Sequence, residues 1–389
     1  MDNIIELKKH NNIGIAVDVG TTTIGISCLD INSKKEILSL LYRNPQGRYG
    51  ADIITRIKKC IDDPDMLNTL SDDLIHSIFD SLKKNLGRKY KDISCVCYSG
   101  NTTMLHILRK LSVTGLSKAP FTPVTLDYYE NRCTSEGVSG FSGTDNNIVA
   151  EAEKSFNEIY LPGFSAFVGA DILSGAEYLG MGQNKEYDLL VDLGTNGEIL
   201  LLNSDSGFAT STACGPVFDY GITGAVYGSE CIHGIAESIR KGMIDRTGLI
   251  KGIFFDKGIE LDNFITIRQE HVRNFQMAKA AIYAGIMCLM KKAGIDHTYI
   301  GNVYISGGLG FYMDVNDAFT TKLLPKKFRG KITVSGNTSL SGCCKYVLAD
   351  DEERKKILSN YDNIRNRTEA FELAEYDDFQ DIYISSMNF

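Results

Sequence analysis

No two of the ten cysteines stand at Cys-x-x-Cys spacing, and no Cys-x-x-Cys-x-x-Cys run occurs anywhere in the chain. Thiols scattered in this way, from Cys28 to Cys344, lack the spacing of zinc and iron–sulfur sites and read as reduced core residues of a cytoplasmic protein. Basic residues are outnumbered, 41 against 49 acidic ones for a net charge of −8, and nowhere crowd enough to neutralise a row of phosphates. That balance speaks against a nucleic-acid partner. Long hydrophobic runs are missing too. The longest, "AKAAIYAGIMCLM" (278–290), contains Lys279, stops at Lys291 and Lys292, and at 13 residues is too short to span a bilayer, so no membrane association is expected. The opening "MDNIIELKKHNNIGIAV" has acidic residues at the wrong end for a signal peptide and no small-residue cleavage site. His10, His76, His106, His233, His271 and His297 show no metal-ligand spacing, and His106, behind "GNTTML", reads as a packing residue. Neither Gly-x-Gly-x-x-Gly in a βαβ unit nor Gly-x-x-x-x-Gly-Lys-Ser/Thr is found, which removes the Rossmann and P-loop readings.

What is present is a core-forming composition, 43% apolar over 389 residues, enough for two lobes. Residues 13–19 and 24–29 are β-branched and apolar around a Gly-Thr turn, which predicts a hairpin, with a third strand at 37–43. "NPQGRYGADIITRIKKCI" then leads into a helix with Ile53, Ile54, Ile57 and Ile61 at helical spacing. A second amphipathic helix is predicted over 66–86, capped by Gly87. "ISCVCYSGNTTMLHILRKL" is a buried strand turning at Ser99-Gly100 into a helix, and 112–147 reads as loop. A small-residue helix in "FSAFVGADILSGAEYLGM" delivers the chain to "LLVDLGTNGEILLL" (189–202), which repeats the design of the first hairpin. A long helix, the strand-turn "NVYISGGLG" and a second small-residue helix, "GNTSLSGCCKYVL", follow. The repeat predicts an internal duplication, with two related sheets facing each other across a cleft.

Each repeated turn is an Asp-x-Gly-Thr between strands. Backbone N–H groups and threonine hydroxyls at such a bend, Gly20, Thr21, Thr22 and Thr23 in one half and Gly194, Thr195 and Asn196 in the other, suit phosphate oxygens. Asp18 and Asp192, at the strand ends, suit Mg²⁺ held through its water shell. One such turn is an ordinary hairpin; two in matching contexts point to a nucleotide. In "ISGGLG" (305–310), Gly307, Gly308 and Gly310 allow backbone to lie against a flat base such as adenine, or simply make a tight turn. Cys95 with Cys97, and adjacent Cys343 and Cys344, read as packing residues.

The order "DVGTTT", small-residue helix, "DLGTNGE", "SGGLG", small-residue helix resembles the acetate kinase, sugar kinase, heat-shock chaperone and actin superfamily. Within it, "NPQGRYGADIITRI", "GNTTMLHIL", "PGFSAFVGADILSG", "VDLGTNGEI", "ACGPVF", "QMAKAAIYAGI" and "GNTSLSG" are similar to the reductive activators of corrinoid proteins, over residues 15 to about 345. The resemblance implies an α/β fold of two actin-like (ribonuclease H-like) lobes with mixed sheets flanked by helices: residues 1–172, then 173–336, with 337–389 packing back on the first lobe. It implies ATP and Mg²⁺ as cofactors, a homodimer, and an ATPase that drives a Co(II) corrinoid protein of a methyltransferase system to Co(I). It also implies that Thr195 and Asn196 face the terminal phosphate, and that Asp171, in "GADILSG", is the cleft carboxylate that orients water or contacts Mg²⁺. Asp219 is a weaker second carboxylate, and "ACGPVFDYG" departs from relatives in carrying Cys214 and Asp219 where a small residue and a glutamate are usual. Relatives carry a two-iron ferredoxin module or a cysteine-rich domain; with no such spacing here, the expectation is no intrinsic iron–sulfur cluster and a separate ferredoxin-like electron donor. A small-molecule kinase or a nucleotide-gated assembly protein would share the fold.

Overall fold

A computed structural model describes residues 12–133, 155–215, 217–220, 228–261, 265–307 and 313–389. They form two compact units: residues up to Pro162 together with Gly342–Lys355, and Gly163–Ser341 together with Lys356–Phe389.

The first unit is built on β1 (Ile13–Val19), β2 (Thr23–Asp30), β3 (Lys35–Arg43), β4 (Ile93–Gly100), β5 (Tyr129–Cys133) and β6 (Phe156–Tyr160), in the spatial order β3-β2-β1-β4-β6-β5. β1 and β4 pair in parallel and are buried almost throughout, as their near-continuous apolar sequences require. Helix α1 (Ile53–Asp62) is N-capped by Asp52, whose side chain accepts from Thr55 N. Helix α2 (Met66–Leu86) buries Leu70, Leu74, Ile78 and Leu82 and ends at Gly87 with φ +55, the capping residue expected from the sequence. Helix α3 (Thr102–Leu108) is N-capped by Asn101, which accepts from Met104 N.

Two expectations need correction here. The inward face of α1 is Ile53, Arg56, Ile57 and Cys60, not Ile53, Ile54, Ile57 and Ile61. Ile54 is 76% exposed while Arg56 is fully buried, so a charged residue takes a core position and rotates the face by one step. Within the segment read as loop, Tyr129–Cys133 is an edge strand antiparallel to β6, polar but alternating in exposure; residues 134–147 lie outside the described residues.

The second unit contains α4 (Ala170–Leu179), β7 (Tyr187–Leu193), β8 (Asn196–Leu202), β9 (Gly207–Ala213), α5 (Gly228–Arg240), the small hairpin β10 (Ile259–Leu261) and β11 (Ile265–Ile267), α6 (Gln269–Lys292), β12 (Ile300–Ser306), α7 (Val315–Thr320) and β13 (Ile332–Gly336). Helix α8 (Thr338–Leu348) and helix α9 (Asp351–Asn366) follow, then β14 (Thr368–Ala370) and α10 (Phe379–Ser385). The main sheet runs β13-β12-β7-β8-β9-β14. Its core joins Leu189, Val191 and Ile199 of the sheet to Ile232 and Ile235 of α5 and to Phe275, Ile282 and Leu289 of α6.

Side by side, the two sheets repeat five strands. β3-β2-β1-β4-β6 corresponds to β9-β8-β7-β12-β13, each an antiparallel meander of three followed by two parallel additions. The tail differs from expectation: residues 342–355 belong with the first unit, but 356–389 belong with the second, where β14 adds in parallel to β9 and Arg367 donates to Ser204 O. A three-residue strand paired so far back in the chain leaves no local periodicity to read.

Candidate functional site

The first turn joins β1 to β2. Gly20 N donates to Thr23 O at 3.0 Å, and a Cβ on Gly20 would stand 2.7 Å from that oxygen, so only glycine fits. Every carbonyl of the turn proper is held by the protein: Gly20 O by Asn44 Nδ2 at 2.8 Å, Thr21 O by Arg56 Nη2 at 2.7 Å and Thr22 O by Asn44 N at 2.8 Å. Asn101 Nδ2 donates to Thr21 Oγ1 at 3.1 Å. Thr21 and Thr22 are buried, with Thr23 and Asp18 half-buried beside them. Asp18 stands level with Gly25 on β2 and with Ser99 on β4.

The second turn joins β7 to β8 and is one residue shorter: Gly194 N donates to Asn196 O at 3.1 Å and Cys214 N to Thr195 O at 3.2 Å, as Asn44 N does to Thr22 O in the first. Thr195 is buried, while Asp192, Gly194 and Asn196 are half-buried. Asp192 stands level with Glu198 on β8 and with Ser306 on β12, whose hydroxyl donates to Asp192 Oδ2 at 2.6 Å. Gly307, at φ +91, lies so close that a Cβ would fall 2.5 Å from Leu193 O and 2.7 Å from Asp192 Oδ1.

The first unit has the same companion. Gly100, at φ +152, would place a Cβ 2.5 Å from Val19 O, the carbonyl that corresponds to Leu193 O. Each half therefore pairs its Asp-x-Gly-Thr turn with a Ser-Gly at the end of the adjacent parallel strand, Ser99-Gly100 and Ser306-Gly307. The sequence reading took these dipeptides as separate turns; the signal that could have joined them is the recurrence of Ser-Gly after a buried strand in both halves. Gly308 and Gly310 lie outside the described residues.

Asp171 sits in the first turn of α4, where a carboxylate is favoured by the helix dipole, and its Oδ1 accepts from Ile172 N at 2.9 Å. α4 packs against α8 through small residues: a Cβ on Gly175 would meet Thr338 Oγ1 at 2.6 Å. Asp219 lies on a single helical turn, Val217–Tyr220. The structure thus gathers Asp18 with Gly20, Thr21, Thr22 and Thr23 in one unit, and Asp192 with Gly194, Thr195, Asn196 and Gly307 in the other, with Asp171 on α4.

Burial governs the titration of the core thiols. It pushes the thiols of Cys95 and Cys288 up to about 11 and those of Cys28 and Cys344 up to about 12, so they stay protonated and unreactive at neutral pH. Cys343 Sγ donates to Cys97 O at 3.0 Å, a packing role like the one expected. His106 is buried, with Nδ1 2.7 Å from Thr102 O and Nε2 accepting from Val124 N at 3.1 Å, and burial lowers its pKa. Among the described residues no three His, Cys, Asp or Glu side chains converge on a metal-sized site. The oxygen donors at the turns, Asp18 and Asp192, are hard ligands of the sort Mg²⁺ accepts when water and phosphate complete its shell. No helix among the described residues is long and apolar enough to cross a membrane.

Residues 13–184 match the family described as the RACo middle region, and residues 220–389 match the C-terminal domain of RACo, the ASKHA domain. The chain superposes on the solved structure of a reductive activator for corrinoid,iron-sulfur protein with a TM-score of 0.83 at 26% identity, covering 98% of this chain and 66% of that one. The chain belongs to the reductive activators of corrinoid proteins. Among curated relatives, the corrinoid activation enzyme RamQ of Eubacterium limosum is 29% identical over 89% of this chain and 66% of its own length. The [Co(II) methylated amine-specific corrinoid protein] reductase of Methanosarcina barkeri is 25% identical over 90% and 73%. The chain therefore spans about two thirds of the length of RamQ and of the solved activator. The two-lobed, mixed α/β architecture anticipated from the motifs is the architecture of this family. The first turn, Asn44, Arg56 and Asp171 fall inside the middle-region match and Gly307 inside the C-terminal one, while the second turn lies between the two matches.

Proposed function

We propose that the protein is an Mg-ATP-hydrolysing activator that allows an inactivated Co(II) corrinoid protein to be reduced to Co(I) by a separate ferredoxin-like donor, and that it works in the cytoplasm as a homodimer. The observation that carries this reading is the duplication itself: the same five-strand order, the same Asp-x-Gly-Thr turn and the same Ser-Gly companion in both units of a chain of this family. An isolated hairpin needs no such pair.

In this reading the amides and hydroxyls of Thr21–Thr23 and of Thr195 and Asn196 bind phosphate oxygens. Asp18 and Asp192 hold the waters around Mg²⁺, whose positive charge, when bound, offsets charge on the phosphates. Asp171 orients the water that attacks the terminal phosphorus as the bond to ADP breaks. Hydrolysis alone moves no electron; coupling arises when the nucleotide state changes how tightly the partner's two redox states are held. Inverting a 1:99 population takes about 5.5 kcal/mol of differential affinity, roughly four decades. At about 59 mV per decade for one electron, that moves an apparent potential by roughly 240 mV.

The test mixes the protein, Mg-ATP, a low-potential donor and a Co(II) corrinoid protein, and follows the Co(I) absorbance alongside phosphate release. Omitting ATP or omitting the donor is expected to abolish reduction. Stoichiometric iron in the purified chain with reduction in the absence of another electron carrier would overturn the division of labour, and robust phosphorylation of a small metabolite would replace the reading by a kinase.

A further inference from the structure

The first turn is one residue longer than the second, since Asp18 pairs with Gly25 on β2 but Asp192 with Glu198 on β8. The residues that correspond by register are held alike: Thr22 O accepts from Asn44 N, the amide that follows β3, and Thr195 O from Cys214 N, the amide that follows β9. At Thr21, the additional residue, the carbonyl is satisfied by a side chain from outside the sheet, the guanidinium of Arg56. That guanidinium is fully buried and spreads its donors over several acceptors, among them Gly50 O from Nε at 3.0 Å, Gln46 Oε1 at 3.1 Å and Met104 Sδ at 3.3 Å from Nη1, and Thr21 O from Nη2 at 2.7 Å. Gln46, also fully buried, is anchored in turn by its Nε2 to Leu70 O at 2.8 Å. Asn44, two residues earlier, caps that same short segment with its Oδ1 on Gln46 N and reaches back to the turn with its Nδ2.

A guanidinium taken out of water is costly unless its donors are met, and the planar fork of arginine can meet several at fixed angles where a lysine ammonium cannot. Here the fork links the loop before α1, the start of α3 and the turn between β1 and β2. With its carbonyl bound by Arg56 and its hydroxyl oxygen accepting from Asn101, Thr21 has its backbone N–H and its hydroxyl proton to offer an anion. The direction of that N–H is set by the peptide plane, and the adjoining plane is fixed through the carbonyl that Arg56 holds.

We propose that Arg56 is a positioning residue for phosphate recognition, acting through Thr21 rather than by touching the nucleotide. The inference rests on the nucleotide reading given above. Of the groups assigned above to the nucleotide, the guanidinium holds Thr21 of the phosphate turn, so it bears on the phosphates and not on the base or ribose. Removing its fork should therefore cost affinity for phosphorylated ligands selectively, which a merely structural arginine would not do.

The experiment measures binding of ATP, ADP and adenosine to the full chain, adenosine by displacement of a fluorescent ATP analogue at millimolar concentration, for wild type, Arg56→Lys and Gln46→Met. Arg56→Lys is expected to weaken ATP and ADP by about tenfold or more with adenosine unchanged. Gln46→Met, which keeps the arginine but removes one of its acceptors, should show the same selectivity at about threefold, and carries the test if the lysine variant does not fold. Equal losses for all three ligands, or no loss for any, would overturn the assignment. A wild-type chain that binds none of them would instead overturn the nucleotide reading, and this one with it.

Discussion

Ser306 donates its hydroxyl to the carboxylate of Asp192 across two parallel strands, at 2.6 Å. The bond fixes one oxygen of a half-buried acid at the end of β7, while Gly307 leaves room beside the other. In the first unit Ser99 stands at the same register opposite Asp18 and is followed by Gly100, again with positive φ. A carboxylate that must meet a hydrated cation gains from being held in one orientation, since side-chain freedom lost beforehand is not lost on binding. The duplicated unit is thus an aspartate with its serine, larger than the hairpin turn alone.

Removing either acid tests the unit directly. Asp18→Ala and Asp192→Ala are expected to abolish Mg-ATP binding in calorimetry with circular dichroism unchanged. Ser306→Ala, which leaves the acid but frees it, should weaken binding by about tenfold, in line with roughly 1.5 kcal/mol for a hydrogen bond to a charged group. Unchanged affinity in both aspartate variants would remove the turns from the nucleotide site.

The two glycines give a test of the duplication that does not depend on charge. Gly100→Ala and Gly307→Ala each drive a Cβ to 2.5 Å from a backbone oxygen at positive φ. Strain of about 1–3 kcal/mol is expected, seen as a lowered midpoint in thermal melts of each variant. Gly307→Ala also presses on Asp192 Oδ1, so it should lose Mg-ATP affinity beyond its effect on stability. A melt indistinguishable from wild type in both would mean the backbone relaxes at these points.

The sheets and both turns were legible because their signals are local: β-branched runs, a glycine that only a tight bend needs, and a repeat of the same pattern. α1 was misread because an apolar count cannot anticipate Arg56 in the core; its burial depends on Gln46, Gly50, Met104 and Thr21, which no periodicity brings together. β5 escaped because an edge strand needs no apolar face, and β14 because its only reason to exist is β9, far back in the chain. The role of Ser306 was hidden for the same cause, since its partner Asp192 is distant in sequence.

His106 predicts a pH dependence with a definite sign. Burial, reinforced by the charge of Arg109, lowers its pKa below the ordinary 6.5, although the Thr102 carbonyl acts the other way. A lowered pKa means the unfolded chain takes up the proton first. The stability tied to the neutral ring is therefore complete above about pH 6.5 and is lost as pH falls below it towards the folded value. The geometry gives the reason: a protonated Nε2 would face the Val124 N–H donor. The thermal midpoint should fall more steeply between pH 7 and 5.5 in wild type than in His106→Gln; parallel curves would show that the ring is not the group responsible.

The role proposed for Asp171 predicts that binding and chemistry can be separated. Its carboxylate lies in the first turn of α4, with Oδ1 accepting from the Ile172 amide, and in the proposed function it orders the attacking water. Asp171→Asn keeps the shape, the helix and an amide oxygen able to accept from Ile172, but it removes the charge and replaces an acceptor by a donor. ATP affinity should therefore stay close to wild type while steady-state phosphate release falls by about 10²-fold or more, the usual scale for a lost positioning or electrostatic group. Reduction of the corrinoid protein should fall in parallel, because the coupling proposed here needs turnover between nucleotide states. Wild-type phosphate release by Asp171→Asn would return the residue to a helix-stabilising role. Lost hydrolysis with undiminished Co(I) formation would show that ATP binding alone drives the partner, and would uncouple the chemistry from the activation.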